Sequence, residues 1–222
     1  MIDPLDNFPW DTLYSLYDEK SLKTSKFNYN VPALRCFSPP PKTDRDLYYS
    51  LISRMLSERE AGSLMTLQSY TAIIYWKMYS TSPKTNNYID KNISLQEQLR
   101  KMLISFNNFP AVIKKERNII SELVQRTINL KLYGLGLPVC TTVLHYLYPD
   151  IVPIFDQMIL RAVGYDKEEI NQKRLNQSQE LYHKYLEHHW SLVEKYSDKI
   201  KNFKETPVRV IEMALWVSRG DR

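Results

Sequence analysis

The chain has 222 residues, 43% hydrophobic and 12% aromatic, enough for one large or two small units with a sizeable core, and this composition excludes intrinsic disorder. Five glycines, about a third of the usual ~7% usage, disfavour the many tight turns of an all-β fold. A net charge of +5 is only mildly basic, no apolar run reaches the ~18 residues of a membrane span, and two cysteines more than a hundred positions apart, Cys36 and Cys140, exclude a disulfide scaffold and a four-cysteine metal or iron–sulfur site.

In chain order, residues 1–43 hold six of the 12 prolines, including Pro39-Pro40-Pro41, and read as an arm packed on the core. Phe8, Trp10, Leu13, Leu16 and Tyr17 are its anchors, and 10–17 reads as a short helix. The opening residues lack the basic-then-apolar order of a signal peptide, which with the unpaired thiols points to a reduced, intracellular protein without a membrane partner. Residues 44–222 read as one all-α domain, with room for two lobes meeting at a cleft near 132–156.

Asp44-Arg45-Asp46 offers an N-cap, and Leu47, Leu51, Met55 and Leu56 recur at helical spacing up to about 60. A second helix is expected over 63–78, carrying Leu64, Leu67, Tyr70, Ile74 and Met78. Within it Tyr75-Trp76-Lys77, with Tyr70 and Tyr79 nearby, is either core or the lining of a base-stacking pocket. Residues 81–92 form a polar loop. Ser94-Leu95-Gln96-Glu97 is a capping box leading a helix that stops at Asn107-Asn108-Phe109-Pro110, and the next helix runs over 111–129. Between 100 and 131 lie seven basic residues, Lys114, Lys115 and Lys131 among them, against two acidic ones, a surplus equal to the net charge of the whole chain. Such a stripe is either a solvated helix face or the footprint of a phosphate-rich partner.

The helix carrying Ile119, Ile120, Leu123, Val124 and Ile128 breaks at Leu132-Tyr133-Gly134-Leu135-Gly136. A second begins at Leu137-Pro138, with proline in the first turn where a missing N–H costs nothing. Two glycines let the hairpin backbone approach another surface closely, Leu132 and Leu135 point back to the core, and the second helix offers free N–H groups to a phosphate. An ordinary αα-hairpin with glycine caps is the alternative. Next comes an apolar, proline-bearing loop, 148–156, ending at Asp156, 20 positions after Gly136 and just before a helix over 157–163. Gly164 reads as that helix's stop.

Further helices are expected over 167–171, 178–196 and 207–217, within a chain end of balanced charge. The His183–His189 cluster misses zincin spacing by one position and reads as a surface or core-edge cluster rather than a metal site; His145 reads as a satisfied histidine, and Arg161 as a partner for Asp156 or for DNA. With no strand pattern, the sum is a bundle of about eight or nine helices.

The hairpin plus loop-aspartate over 117–164 resembles the helix-hairpin-helix DNA glycosylase superfamily that includes endonuclease III and the adenine and alkylbase glycosylases. Arg209-Val210-Ile211-Glu212-Met213-Ala214-Leu215-Trp216 is similar to the helix that closes many such domains. The resemblance implies a glycosylase-like bundle binding double-stranded DNA, with or without a damaged or modified base. Gly134, Leu135, Gly136 and Leu137 would hold phosphate, with Lys114, Lys115 and Lys131 steering the duplex. Asp156 would be the carboxylate that stabilises a sugar cation once the base is extruded; by its position alone it is equally an N-cap. Bifunctional relatives carry a lysine near the start of the second hairpin helix. Here that position is Pro138, which implies base excision without strand cleavage, needing neither metal nor other cofactor. A non-catalytic DNA-binding module on the same fold is the alternative function.

Overall fold

The computed structural model describes residues 3–24, 34–62, 65–78, 118–129, 135–165, 168, 170 and 179–219. Among them the chain forms nine α-helices and no strand. These are α1 (Leu13–Thr24), preceded by a single 3-10 turn at Trp10–Thr12, then α2 (Asp44–Glu60), α3 (Leu67–Met78), α4 (Asn118–Asn129), α5 (Leu137–Leu147), α6 (Gln157–Ala162), α7 (Gln179–Lys195), α8 (Ser197–Ile200) and α9 (Pro207–Ser218). The all-α expectation holds, and no helix among the described residues is long and apolar enough to cross a membrane.

Two helices organise the packing. In α5 every residue but Pro138 is buried, and α2, α3 and α4 surround it. A helix apolar on all sides belongs at a centre, not on a surface. The α4 face against it is the expected one, with Ile120, Leu123 and Val124 buried, and the Cys140 thiol lies 3.7 Å from the Val124 carbonyl. The second organiser, α9, is packed by α1, α6, α7 and α8. Leu5, Trp10, Leu13 and Tyr17 of the N-terminal segment join one continuous core with both groups.

Caps fix the helix ends. The N-cap of α2 is Thr43, one position before the expected Asp44–Asp46 run. Its hydroxyl accepts the Asp46 N–H at 3.0 Å, and the Asp46 carboxylate accepts the Thr43 N–H at 3.1 Å, a reciprocal pair, while Asp44 is buried in the core with its Oδ2 accepting the Tyr17 hydroxyl. The first helix runs to Thr24, past the expected stop at 17, and α3 starts only at Leu67 because the Thr66 hydroxyl accepts the Ser69 N–H there. At the end of α6, Gly164 sits at φ 95°, its N–H on the Arg161 carbonyl while the Tyr165 N–H reaches Leu160. This closing turn needs left-handed backbone, the role expected for Gly164. The expected helix after 94, the polar loop 81–92, Tyr79, Leu64 and most of 167–171 lie outside the described residues.

Candidate functional site

Asp156 stands where the sequence pattern led: at the end of the 148–156 loop, as N-cap of α6, its Oδ1 accepting the Met158 N–H at 2.7 Å. The second oxygen is engaged from an unexpected direction. Lys77, at the end of α3, donates its Nζ to Oδ2 at 2.6 Å. The carboxylate side chain remains 27% exposed, so it is capped yet still reachable. Burial pushes its pKa up, but the Lys77 charge and hydrogen bond, with the Met158 N–H, overcome that and hold it below the usual carboxylate value. Asp156 is therefore an anion at neutral pH, in low-dielectric surroundings where fixed charge acts strongly.

The loop that presents it is tied from three helices. The Ile154 N–H donates to Glu212 of α9, the Tyr185 hydroxyl of α7 donates to the Ile154 carbonyl at 2.8 Å, and the Phe155 N–H donates to Thr141 Oγ1 of α5 at 3.0 Å. Nearer its start, the Thr206 hydroxyl donates to the Pro149 carbonyl, and His145 Nδ1–H donates to the Val152 carbonyl at 2.7 Å. That bond leaves His145 Nε2 as acceptor for the Tyr48 hydroxyl at 2.9 Å. His145 is a satisfied core histidine, its pKa pushed down to about 3 by burial and then by the nearby Arg209 charge. A buried loop survives only with its backbone polar groups satisfied, and here the ties also fix where Asp156 points.

A cleft of ≈ 230 Å³ opens in front of Asp156, walled by Tyr17, Trp76 and Trp216, with Lys77, Arg209, Glu212 and Arg219 as its other charged lining. Behind that wall, buried Arg209 donates to the Tyr17 hydroxyl at 2.7 Å and to Glu212 at 3.3 Å, while Tyr17 donates to Asp44 at 2.6 Å. The Arg209 guanidinium also lies 4.6 Å from the Tyr48 ring centre and 5.4 Å from that of Trp76. Burial raises the Glu212 carboxyl to about 7 in spite of Arg209 and the Ile154 N–H.

The other expected site residues divide. Gly136 and Leu137 stand at the start of α5, Gly136 as N-cap at φ −73°, so its backbone there is one any residue adopts. Leu135 and Leu137 are buried, leaving only their backbone to meet a partner. Lys114, Lys115, Lys131, Leu132 and Gly134 lie outside the described residues. Of the aromatic run, Trp76 and Lys77 reach the cleft, while Tyr70 and Tyr75 are core. Arg161 makes no ion pair with Asp156 among the described residues; Lys77 takes that place. His189 is buried against the Val208 carbonyl and the Tyr185 hydroxyl, and no cluster of three metal-ligating side chains occurs among the described residues.

The pairing of Lys77 with Asp156 and the tie of Glu212 to the loop are roles that the sequence reading did not assign. Each left a trace: Lys77 is the one charged residue of its helix and follows two aromatics, and Glu212 is a carboxylate within the apolar run of α9.

Compared with known proteins, the chain matches no protein-family model, no curated protein and no solved structure.

Proposed function

We propose that this protein is a monofunctional DNA N-glycosylase of the helix-hairpin-helix type. The observation that carries the reading is Asp156: an ionised carboxylate, partly exposed, rigidly held at an aromatic-walled cleft. The approach of α4 and α5 on either side of the hairpin sequence supports the same reading. In the proposed reaction the C1′–N bond breaks as the base leaves with the bonding pair, and Asp156 stabilises the cationic sugar. Water then adds its oxygen to C1′ and its proton ends on the departed base, leaving an abasic site and the neutral free base. The ammonium of Lys77 is bound to Asp156 and serves as its orienting partner; a protonated amine has no lone pair with which to attack the sugar.

The test compares wild type with Asp156→Asn on duplexes carrying uracil, hypoxanthine, alkylated and oxidised bases, scored for abasic sites. Excision by wild type, falling by about 10²–10³ in the variant, is the expected outcome, the loss typical of removing one transition-state electrostatic contact. Absence of excision of every lesion by wild type overturns it. Borohydride added during turnover should trap no covalent protein–DNA adduct.

One observation favours a second reading. Both Asp156 oxygens already accept a hydrogen bond, as a purely structural cap would require. A non-catalytic DNA-binding module would bind duplex in a salt-sensitive way, weaken on Gly136→Asp and ignore Asp156→Asn.

A further inference from the structure

The hydrogen-bonding state of the cleft restricts what can occupy it. Each oxygen of its two carboxylates already accepts a bond: Asp156 from Met158 and Lys77, and Glu212 from Ile154 and Arg209. Its donors are in surplus. Lys77, part of the cleft lining, gives one of its three N–H groups to Asp156. A ligand oxygen can take one of the remaining two in a charge-assisted bond.

The aromatic walls are already matched with cations. Arg219 lies 4.5 Å and Lys20 5.8 Å from the Trp216 ring centre, and Arg209 lies against Trp76. Lys77, Arg209 and Arg219 line the cleft with two carboxylates that are both already paired. A cationic ring would find its attractive aromatic faces shared with guanidinium and no free carboxylate to neutralise it. The volume, ≈ 230 Å³, is below the ~300–1,000 Å³ of sites that take drug-sized ligands, and suits a single ring system without sugar and phosphate.

The geometry points to a flat, uncharged heteroaromatic ring bearing carbonyl oxygens as the occupant, with cationic N-alkylated rings excluded. This deepens the glycosylase reading, and rests on it only for the claim that the ring arrives as an extruded base on DNA.

The experiment has two arms. Saturation-transfer NMR on the whole protein near neutral pH compares free uracil and hypoxanthine with the 1-methylpyridinium cation. The neutral rings should bind and the cation should not. Lys77→Met, which removes donors from the cleft, should weaken the neutral rings about tenfold, the equivalent of one charge-assisted hydrogen bond. Arg219→Gln, half-exposed at the end of α9, keeps the comparison open should the first variant fold poorly, and should narrow the preference against the cation. The cation binding as well as uracil, or no ring binding at all, overturns the inference. The second arm scores abasic sites on the lesion panel. Rings that bind while no lesion is excised sink the glycosylase reading and leave the cleft chemistry standing. Preferential excision of cationic alkylated bases does the reverse.

Discussion

At the scale of single residues, the decisive pair is Lys77 and Asp156. The ammonium is 11% exposed and the carboxylate 27%, between a surface pair worth little and a sealed one whose broken half is costly. Lys77→Met should therefore destabilise by about 2 kcal/mol, read as a shift in the urea midpoint. The same change should let burial dominate and move the Asp156 pKa above the usual carboxylate value, a reversal of sign visible by NMR titration of the side-chain carbon. Asp156→Asn differs in kind. An amide oxygen can still accept the Met158 N–H, so α6 should keep its start and far-ultraviolet dichroism should be unchanged, while under the proposed function abasic-site formation falls by about 10²–10³. Asp156 was legible in the sequence because capping and loop chemistry are local. Its partner was not, because 79 positions separate the two and only tertiary packing brings the end of α3 to the loop.

At the scale of elements, local rules located nearly every described helix and missed mainly their ends. Periodicity identified α4, α5 and α9, whereas the start of α2 turned on which polar side chain faces the helix end: Thr43 does, and Asp44 is turned into the core against Tyr17. The loop 148–156 is the element that presents Asp156, and none of its ties to Thr141, Tyr185 and Glu212 can be read from spacing. All three partners sit on other helices. Gly164 is where a local expectation and the structure coincide. With φ at 95° a side chain there strains the backbone, so Gly164→Ala should cost about 1–2 kcal/mol and lower the melting temperature by several degrees. Gly62, at φ 75° with open space around the position its Cβ would take, is the control for strain without crowding, and Gly62→Ala should cost a similar amount. If Gly164→Ala also impairs the site while Gly62→Ala does not, the end of α6 transmits to Asp156 at its start.

At the scale of the whole molecule, the buried ionisable groups set a pH dependence with opposed signs. His145 and His189 are neutral in the folded core, each pushed from 6.5 down to about 3, first by burial. On unfolding they regain an ordinary affinity for protons, so stability falls as pH drops below 6.5 and continues to fall toward 3. Glu212 works the other way. Its folded pKa, raised from 4.5 to about 7, means the folded state takes up a proton before the unfolded one does, a contribution fully present below 4.5 and lost as pH rises through 7. Asp44, also pushed up by burial, acts in the same direction as Glu212. Between pH 6.5 and 4.5 two histidines favour the unfolded state and Glu212 offsets one of them. Replacing it by Gln removes that offset, so acidification across this window should destabilise Glu212→Gln more steeply than wild type, by up to about 1.4 kcal/mol per pH unit, the value of one proton. Urea midpoints measured at several pH values read the two slopes directly. Parallel slopes would show that Glu212 does not hold its proton in the fold, and that the Arg209 and Ile154 donors keep it charged against its burial.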